Sequence, residues 1–241
     1  MTDSMMSLAG KRVIAIGGSS GIGFAVAALA REQGAEVVIA SSNSANVDAA
    51  VTRLPGSSGI TVDLRDEADV SRFFDQVGSF DHLAITAGDQ GLPAFGAARD
   101  LDLDVAREAL ALRFWGSLAA VKHGGRVIAA NGSITLTGGM LAHRPQKAMP
   151  FVTAAAGAME SLARGLAVDL APVRVNAVCP GLILTERVTQ MPEERVRGYV
   201  AGLPLPRAAS PGEAATAYLY LMLNSYVTGQ TLAVDGGGLL V

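Results

Sequence analysis

Between an apolar run ending at Ile16 and an Ala-rich stretch, the chain reads Gly17-Gly18-Ser19-Ser20-Gly21-Ile22-Gly23. Glycines placed this way suit a strand-to-helix turn that receives phosphate. Gly17 permits the tight turn, Gly21 lets the backbone approach a pyrophosphate, and Gly23 lets helix and strand pack closely. A helix beginning there points unbonded N–H groups, and the positive end of its dipole, at phosphate oxygens. Further on, Ala40-Ser41-Ser42-Asn43 closes a second apolar run. A carboxylate in that place would bind a ribose 2′-hydroxyl and repel a 2′-phosphate, whereas two hydroxyls and an amide can donate to the phosphate. The expected ligand is NADP(H), with NAD(H) as the other candidate.

Such residues need a sheet edge to present them. Short β-branched runs alternate with longer Ala/Leu segments, and Gly, Asn, Asp or Ser marks each junction, which is the rhythm of βα units. Strands are expected at Arg12–Ile16, 36–40, 59–62, 82–86, 133–137, 173–178 and Thr231–Val234. Helices are expected at 21–33, 66–77, 103–121, 154–170 and Pro211–Leu223. The fold class is therefore α/β: a Rossmann-type, doubly wound parallel sheet of about seven strands with helices on both faces. Residues 126–130, RVIAA, are ambiguous and are read as helical. Nothing divides the chain, so 1–241 is taken as one domain, with 1–9 a loose tail and 186–207 a candidate substrate flap.

Composition narrows the function. Half of the 241 residues are hydrophobic and 17% are charged, enough to bury a sizeable core. A formal net charge of -3 with no basic block argues against a nucleic-acid partner. The uncharged run 214–234 is long enough to cross a bilayer, but Asn224, Ser225, Thr228, Gly229 and Gln230 interrupt it. It reads as a buried helix, a turn and a strand, so no membrane partner is expected. The lone Cys179 leaves no internal disulfide and no cysteine-rich zinc site, and His82 and His123 show no ligand spacing, so no metal site is expected. With no signal-peptide pattern after Met1, a cytoplasmic location is expected.

In this order along the chain, the glycine spacing, Asp63-Leu64, Thr86-Ala87-Gly88, the run from Arg174 to Gly181 (RVNAVCPG) and Thr228-Gly229-Gln230 before Asp235-Gly236-Gly237 resemble the short-chain dehydrogenase/reductase family. The likeness runs almost end to end. It implies that Ser19, Ser20, Gly21 and Ile22 surround the pyrophosphate and that Asp63 accepts from the adenine amino group beside Leu64. It also implies that Thr86, Ala87 and Gly88 bind the cofactor, the Ala87-Gly88 backbone along the adenosine ribose, while Pro180, Gly181, Ile183 and Thr185 hold the nicotinamide end. Family members preferring NADP often carry Arg or Lys at the positions of Ser42 and Ser20, and this chain does not.

The resemblance also implies where catalysis would sit, and there the chain departs from the pattern. The family pairs Tyr-x3-Lys on a long helix with an upstream Ser and an Asn. Here Val152 stands for Tyr, Ala156 for Lys, Gly138 or Gly139 for Ser, and Arg113 for Asn. The first tyrosine in the chain is Tyr199 and its only lysines are Lys11, Lys122 and Lys147, so no register restores the pair. Arg113 and His143 become the catalytic candidates, the first to stabilise an oxyanion or clamp a carboxylate, the second to give a proton near neutral pH. Arg144 and Lys147 are the next charged groups, and Tyr199 and Arg187 are expected at the surface. Trp115 is expected in core or subunit packing.

Two functions stay open. One is an NADP(H)-binding oxidoreductase of non-standard mechanism acting on a small carbonyl, activated alkene or imine. The other is a redox-silent protein: a cofactor-loaded scaffold or sensor, or an isomerase or cyclase. A homodimer or homotetramer is expected from the small residues of 154–170, the all-round apolar helix near 214–223 and the apolar end Gly238-Leu239-Leu240-Val241.

Overall fold

The computed structural model describes residues 7–88 and 96–241. Seven parallel strands form one sheet in the order β3-β2-β1-β4-β5-β6-β7. They are β1 (Arg12–Ile16), β2 (Glu36–Ser41), β3 (Ser58–Thr61), β4 (Phe80–Ile85), β5 (Ile128–Thr137), β6 (Arg174–Pro180) and β7 (Thr231–Val234). Helices α1 (Gly21–Glu32), α2 (Ser44–Arg53), α3 (Glu67–Val77), α4 (Leu103–Leu110), α5 (Gly116–Gly124), α6 (Pro150–Asp169), α7 (Glu193–Val200) and α8 (Pro211–Leu223) connect them. The chain reverses direction across the sheet between β1 and β4. Crevices in doubly wound sheets open outside the strand C-termini at such a switch point.

Alternate residues of each central strand feed opposite layers. Ile14 and Ile16 join Val38, Leu83, Ile134 and Met159 on one face, while Val13 and Ala15 join Val37, Ala84, Val178 and Tyr218 on the other. Both faces are covered, which is why the middles of β1 and β2 read as continuous apolar runs. The apolar α8 is largely accounted for within the chain: Ala214, Ala215, Ala217, Tyr218, Leu221 and Met222 are buried, in the same layer as Val26, Ala27 and Ala30 of α1. Tyr218 is fully buried, with its hydroxyl 2.6 Å from Thr137 Oγ1 at the end of β5. No described helix is long and apolar enough to cross a membrane.

Several expectations need correction. Residues 126–130 are not helical: after a turn, β5 begins at Ile128, which pairs with Phe80. The pairing then jumps to His82 with Ser133, so three extra residues are absorbed in a bulge. That bulge breaks the alternation that would have betrayed the strand. The expected helix 103–121 is interrupted by a π-helical turn at Ala111–Trp115. Helix α2 was not expected; only Val47 and Ala50 are buried on it, too few to print a clear apolar stripe. Residues 1–6 of the expected tail lie outside the described residues, but Leu8 is buried and its N–H donates to Gln33 O, so the fold begins before residue 10.

The glycine turn is the tightest junction. A Cβ at Gly23 would lie 2.2 Å from Gly17 O and 2.3 Å from Thr86 Oγ1, and one at Gly17 would lie 2.6 Å from Ala87 N. Gly17 also has φ +83°, a conformation that favours glycine. Gly23→Ala should therefore cost about 1–3 kcal/mol by overpacking against backbone. Urea unfolding is the check: an unchanged midpoint would mean that helix and turn are not locked together.

Candidate functional site

Two adjoining cavities run along the C-terminal edge of β1, β2 and β4. One, of about 240 Å³, is lined by Ser41, Ser42, Leu64 and Arg65; the other, of about 530 Å³, by Ser20, Gly21, Arg113, Thr185, Glu186 and Arg187. Gly17, Ala87 and Gly88 line both. The expected glycine turn, second-strand end and Thr86-Ala87-Gly88 segment are thus brought together in one long cleft.

At the mouth of α1, Ser20 stands at the N-cap with no side-chain capping bond, so the first turn's N–H groups face the cleft. One is already engaged: Gly21 N–H donates to Glu186 Oε2 at 3.0 Å. A carboxylate of the chain itself therefore sits where a helix N-terminus would hold phosphate. Thr185 packs on the same glycine, its methyl 3.0 Å from where a Cβ would stand. Ile183 is buried and bridges to Ala209, while its carbonyl accepts from Thr185 N–H at 2.7 Å. Gly181 N–H donates to Val234 O, which fixes the turn after Pro180.

At the other end, Ser41 is buried and Ser42 exposed. Asn43 is the N-cap of α2, its Oδ1 accepting from Asn46 N–H at 3.0 Å, so its carbonyl is spent on the helix. Asp63 is also committed. Arg65 Nε and Nη2 donate to its two oxygens at 3.0 and 2.9 Å, and this pairing holds its carboxyl below the ordinary carboxylate range. An adenine amino group would have to share these oxygens. Arg65 itself went unnoticed in the sequence: it lines the cavity of Ser41 and Ser42 and supplies the cation not found at Ser42 or Ser20. Its place right after Asp63-Leu64 was the available signal.

Arg113 lies on the π-helical turn and on the cleft wall, with Nη2 donating to Gly138 O at 2.6 Å and to Thr137 O at 3.3 Å. Such turns are frequent at functional sites, because the extra residue swings a side chain off the helix line. Gly139 adjoins it: a Cβ there would lie 3.7 Å from Ala156 Cβ and 4.0 Å from Arg113 Nη2. Val152 is half-buried one turn before the buried Ala156. The neighbouring Gly138 leaves space for Glu160, whose Cγ would be 3.1 Å from an added Cβ.

Glu160, absent from the sequence reading, is 3% exposed and joins His143, whose Nε2 lies 3.0 and 2.9 Å from its two oxygens. It was the one acidic residue in the apolar stripe Ala156, Met159, Ala163 and Ala167 of α6. Cys179 completes a group of three ligand-type atoms, all within 4.8 Å of one another, which the sequence did not mark. The folding of β6 beside α6 and the loop after β5 gathers them from separate places, which no spacing rule detects. Arg144 and Lys147 are exposed in that loop.

Two aromatic expectations also change. Tyr199 on α7 is half-buried and reaches inward: its hydroxyl lies 2.8 Å from Met140 Sδ, and burial, helped by the Asp235 charge, pushes its pKa up. Trp115 is 59% exposed, so it is not a core residue, and packs edge-on against Phe114.

The chain matches the family described as enoyl-(acyl carrier protein) reductase over residues 16–238. It is 35% identical to the short-chain dehydrogenase/reductase ucsE of an Acremonium species over 254 residues, covering 95% of this chain and 96% of that one. A crystal structure of a small-chain dehydrogenase in complex with NADPH superposes with a TM-score of 0.83 at 34% identity, over 96% of this chain and 99% of that one. The MalC reductase/Diels-Alderase of Malbranchea aurantiaca superposes with a TM-score of 0.90 at 31% identity, over 99% and 100% of the two chains.

The thiol at the back of the site gives a direct check on its surroundings. Burial, reinforced by Glu160 and Asp235, pushes Cys179 up to about 12, so the folded chain carries almost no thiolate at neutral pH. Disulfide-exchange reagents should modify native protein on the order of 100-fold more slowly than urea-unfolded protein. Raising the pH from about 7 to 9 should speed only the unfolded reaction, through the ordinary thiol range. Rapid native labelling would contradict the burial.

Proposed function

The chain belongs to the short-chain dehydrogenase/reductase family, and from that premise we propose that it is an NADP(H)-dependent oxidoreductase that passes hydride to a small carbonyl, activated alkene or imine without the family's phenol. The observation carrying this reading is the glycine turn, too tight for any side chain at Gly17 or Gly23, opening on a cleft of about 530 Å³ with Arg113 on its wall. The NADPH complex of a relative at 34% identity supports the choice of cofactor.

The residues present fit that group. Ser19, Ser20, Gly21 and Ile22 would meet the pyrophosphate, and Ala87 and Gly88 would follow the ribose. Ser41, Ser42 and Arg65 would face the 2′-phosphate, which a guanidinium can bind in fork geometry. Pro180, Gly181, Ile183 and Thr185 would hold the nicotinamide end. When bound, the reduced cofactor supplies the hydride.

Arg113 stabilises negative charge arising on the acceptor, since its guanidinium stays protonated and is already oriented by Gly138 O. His143, paired with Glu160, is the candidate for the proton. Gly139, Val152 and Ala156 bring no proton donor. Loss of a positioned donor costs on the order of 10²–10⁴ in rate, which favours acceptors whose reduction leaves a delocalised anion over simple ketones.

A second reading is a non-redox cyclase that uses the cleft and cofactor as a frame. It is favoured by the same missing donor and by the likeness to a protein titled reductase/Diels-Alderase.

NADPH labelled with deuterium separates the two when offered with carbonyl, enone and imine acceptors. Label in the product supports the first reading; tight cofactor binding with no transfer to any acceptor would overturn it, and conversion with NADPH unchanged would favour the cyclase. Arg65→Ala should weaken NADPH binding about tenfold while leaving NADH nearly unaffected, the loss expected for charge-assisted bonds to phosphate. Glu186→Gln should tighten NADPH binding about two- to fivefold by removing charge from the α1 terminus. Fluorescence titration reads both, and equal effects of Arg65→Ala on the two cofactors would contradict the assignment of Arg65.

A further inference from the structure

Outside the residues that line the cleft, near Gly138, three groups of different chemistry come together. Cys179 comes from the end of β6, Glu160 from α6 and His143 from the loop after β5. The thiol is fully buried and the carboxyl nearly so, while the His143 side chain is 45% exposed. One atom from each, a sulfur, an oxygen and a nitrogen, falls within 4.8 Å of the others.

We infer that His143, Glu160 and Cys179 form a three-ligand site for a divalent ion of zinc's chemistry, open on the His143 side. Thiolate, imidazole and carboxylate are zinc's ligand types, and three protein ligands with one open position are the pattern of a catalytic rather than a structural zinc site. A sulfur donor discriminates against magnesium and calcium, which take oxygen.

The dimensions allow it. Bonds of about 2.0–2.3 Å set tetrahedral ligand atoms roughly 3.3–3.7 Å apart. His143 and Glu160, now 2.9 Å apart, must open slightly, and Cys179 stands within 4.8 Å of both. Gly138 makes this feasible, since a Cβ there would crowd Glu160 Oε1 at 3.2 Å. Asp235 adds negative charge felt by Cys179, while its own oxygens are held by Gly237 and Leu239 N–H groups at 3.0 and 2.8 Å.

Binding is an exchange of protons for the ion. The thiol releases its proton to solvent as sulfur coordinates, and His143 ligates as the neutral imidazole through Nε2 with its one ring hydrogen on Nδ1; no electron is transferred. The open position lies on the loop whose Met140 and Arg144 line a further cavity of about 290 Å³ beside Tyr199. The consequence for catalysis rests on the proposed oxidoreductase reading. An ion here would polarise an acceptor oxygen or nitrogen as a Lewis acid, doing what Val152 cannot, and His143 would act as its ligand rather than as the proton donor.

Cobalt(II) is the probe. Full-length protein freed of metal by chelation and dialysis is titrated with Co²⁺ and then with Zn²⁺. The expected result is one equivalent of cobalt with a near-ultraviolet sulfur-to-metal absorption band and intense visible bands, all lost as zinc displaces it. Cys179→Ser should remove the near-ultraviolet band, and His143→Gln should lower cobalt affinity at least about tenfold. His143 is half exposed, so that variant decides the matter even if Cys179→Ser fails to fold. No sulfur-to-cobalt band in the unaltered protein, a band that survives Cys179→Ser, or undiminished affinity in His143→Gln would each overturn the site. NADPH titration of the same samples keeps the two proposals apart: cofactor binding without cobalt bands removes only the metal site, whereas cobalt bands without cofactor binding remove only the oxidoreductase reading.

Discussion

The backbone of β1 turns into α1 so tightly that Gly17 and Gly23 almost touch: a Cβ on Gly23 would stand 2.2 Å from the Gly17 carbonyl oxygen. Much of the architecture answers to this approach. Thr86, at the end of β4, presses its hydroxyl into the same corner and donates to Ile16 O at 3.2 Å, tying the neighbouring strand to the turn. With strand and helix held so close, the N-terminus of α1 opens at the cleft, where Ser20 makes no side-chain cap bond and Gly21 N–H meets Glu186. A binding surface for phosphate follows from packing before any charged side chain is considered.

Charge then modulates the cleft at both ends. Glu186 lies at the helix mouth on Gly21 N–H, and Asp63 is paired with Arg65 at the opposite end. The first is an internal anion on the helix terminus, which the proposed phosphate seat would require to move. The second ties down a carboxylate and places a guanidinium beside the serines of β2. Arg113 occupies the middle, oriented by two carbonyls at the end of β5. A cation that cannot lose its proton therefore stands on the cleft wall, while His143 and Glu160 pair near the neighbouring Gly138 with Cys179 close to both.

The sheet and most of its helices were legible because period and punctuation agree: apolar runs of strand length, then Ala-rich stretches, with glycine or an N-cap residue at each junction. The glycine turn was legible for the same reason, since it sits between a strand and a helix. What escaped was local irregularity and long-range assembly. The bulge in β5 hid Ile128 as a strand residue, and Asn43, read as a ligand group, turned out to cap a helix with too thin an apolar stripe to be noticed. Arg65, Glu160 and Tyr199 carry no motif; their places depend on which loops and helices meet across the sheet. The role of Cys179 depends on Glu160 and His143, which lie 19 and 36 residues before it in the chain.

The central claim is that the helix terminus at Gly21 is the phosphate seat of a dinucleotide and that Glu186 must vacate it. A crystal structure grown with NADPH tests this most directly. The account predicts pyrophosphate oxygens on the N–H groups of Gly21 and Ile22, the Glu186 carboxylate turned away, and the nicotinamide beside Arg113. Density for the cofactor elsewhere on the chain, or an occupied cleft with Glu186 still on Gly21, would contradict it.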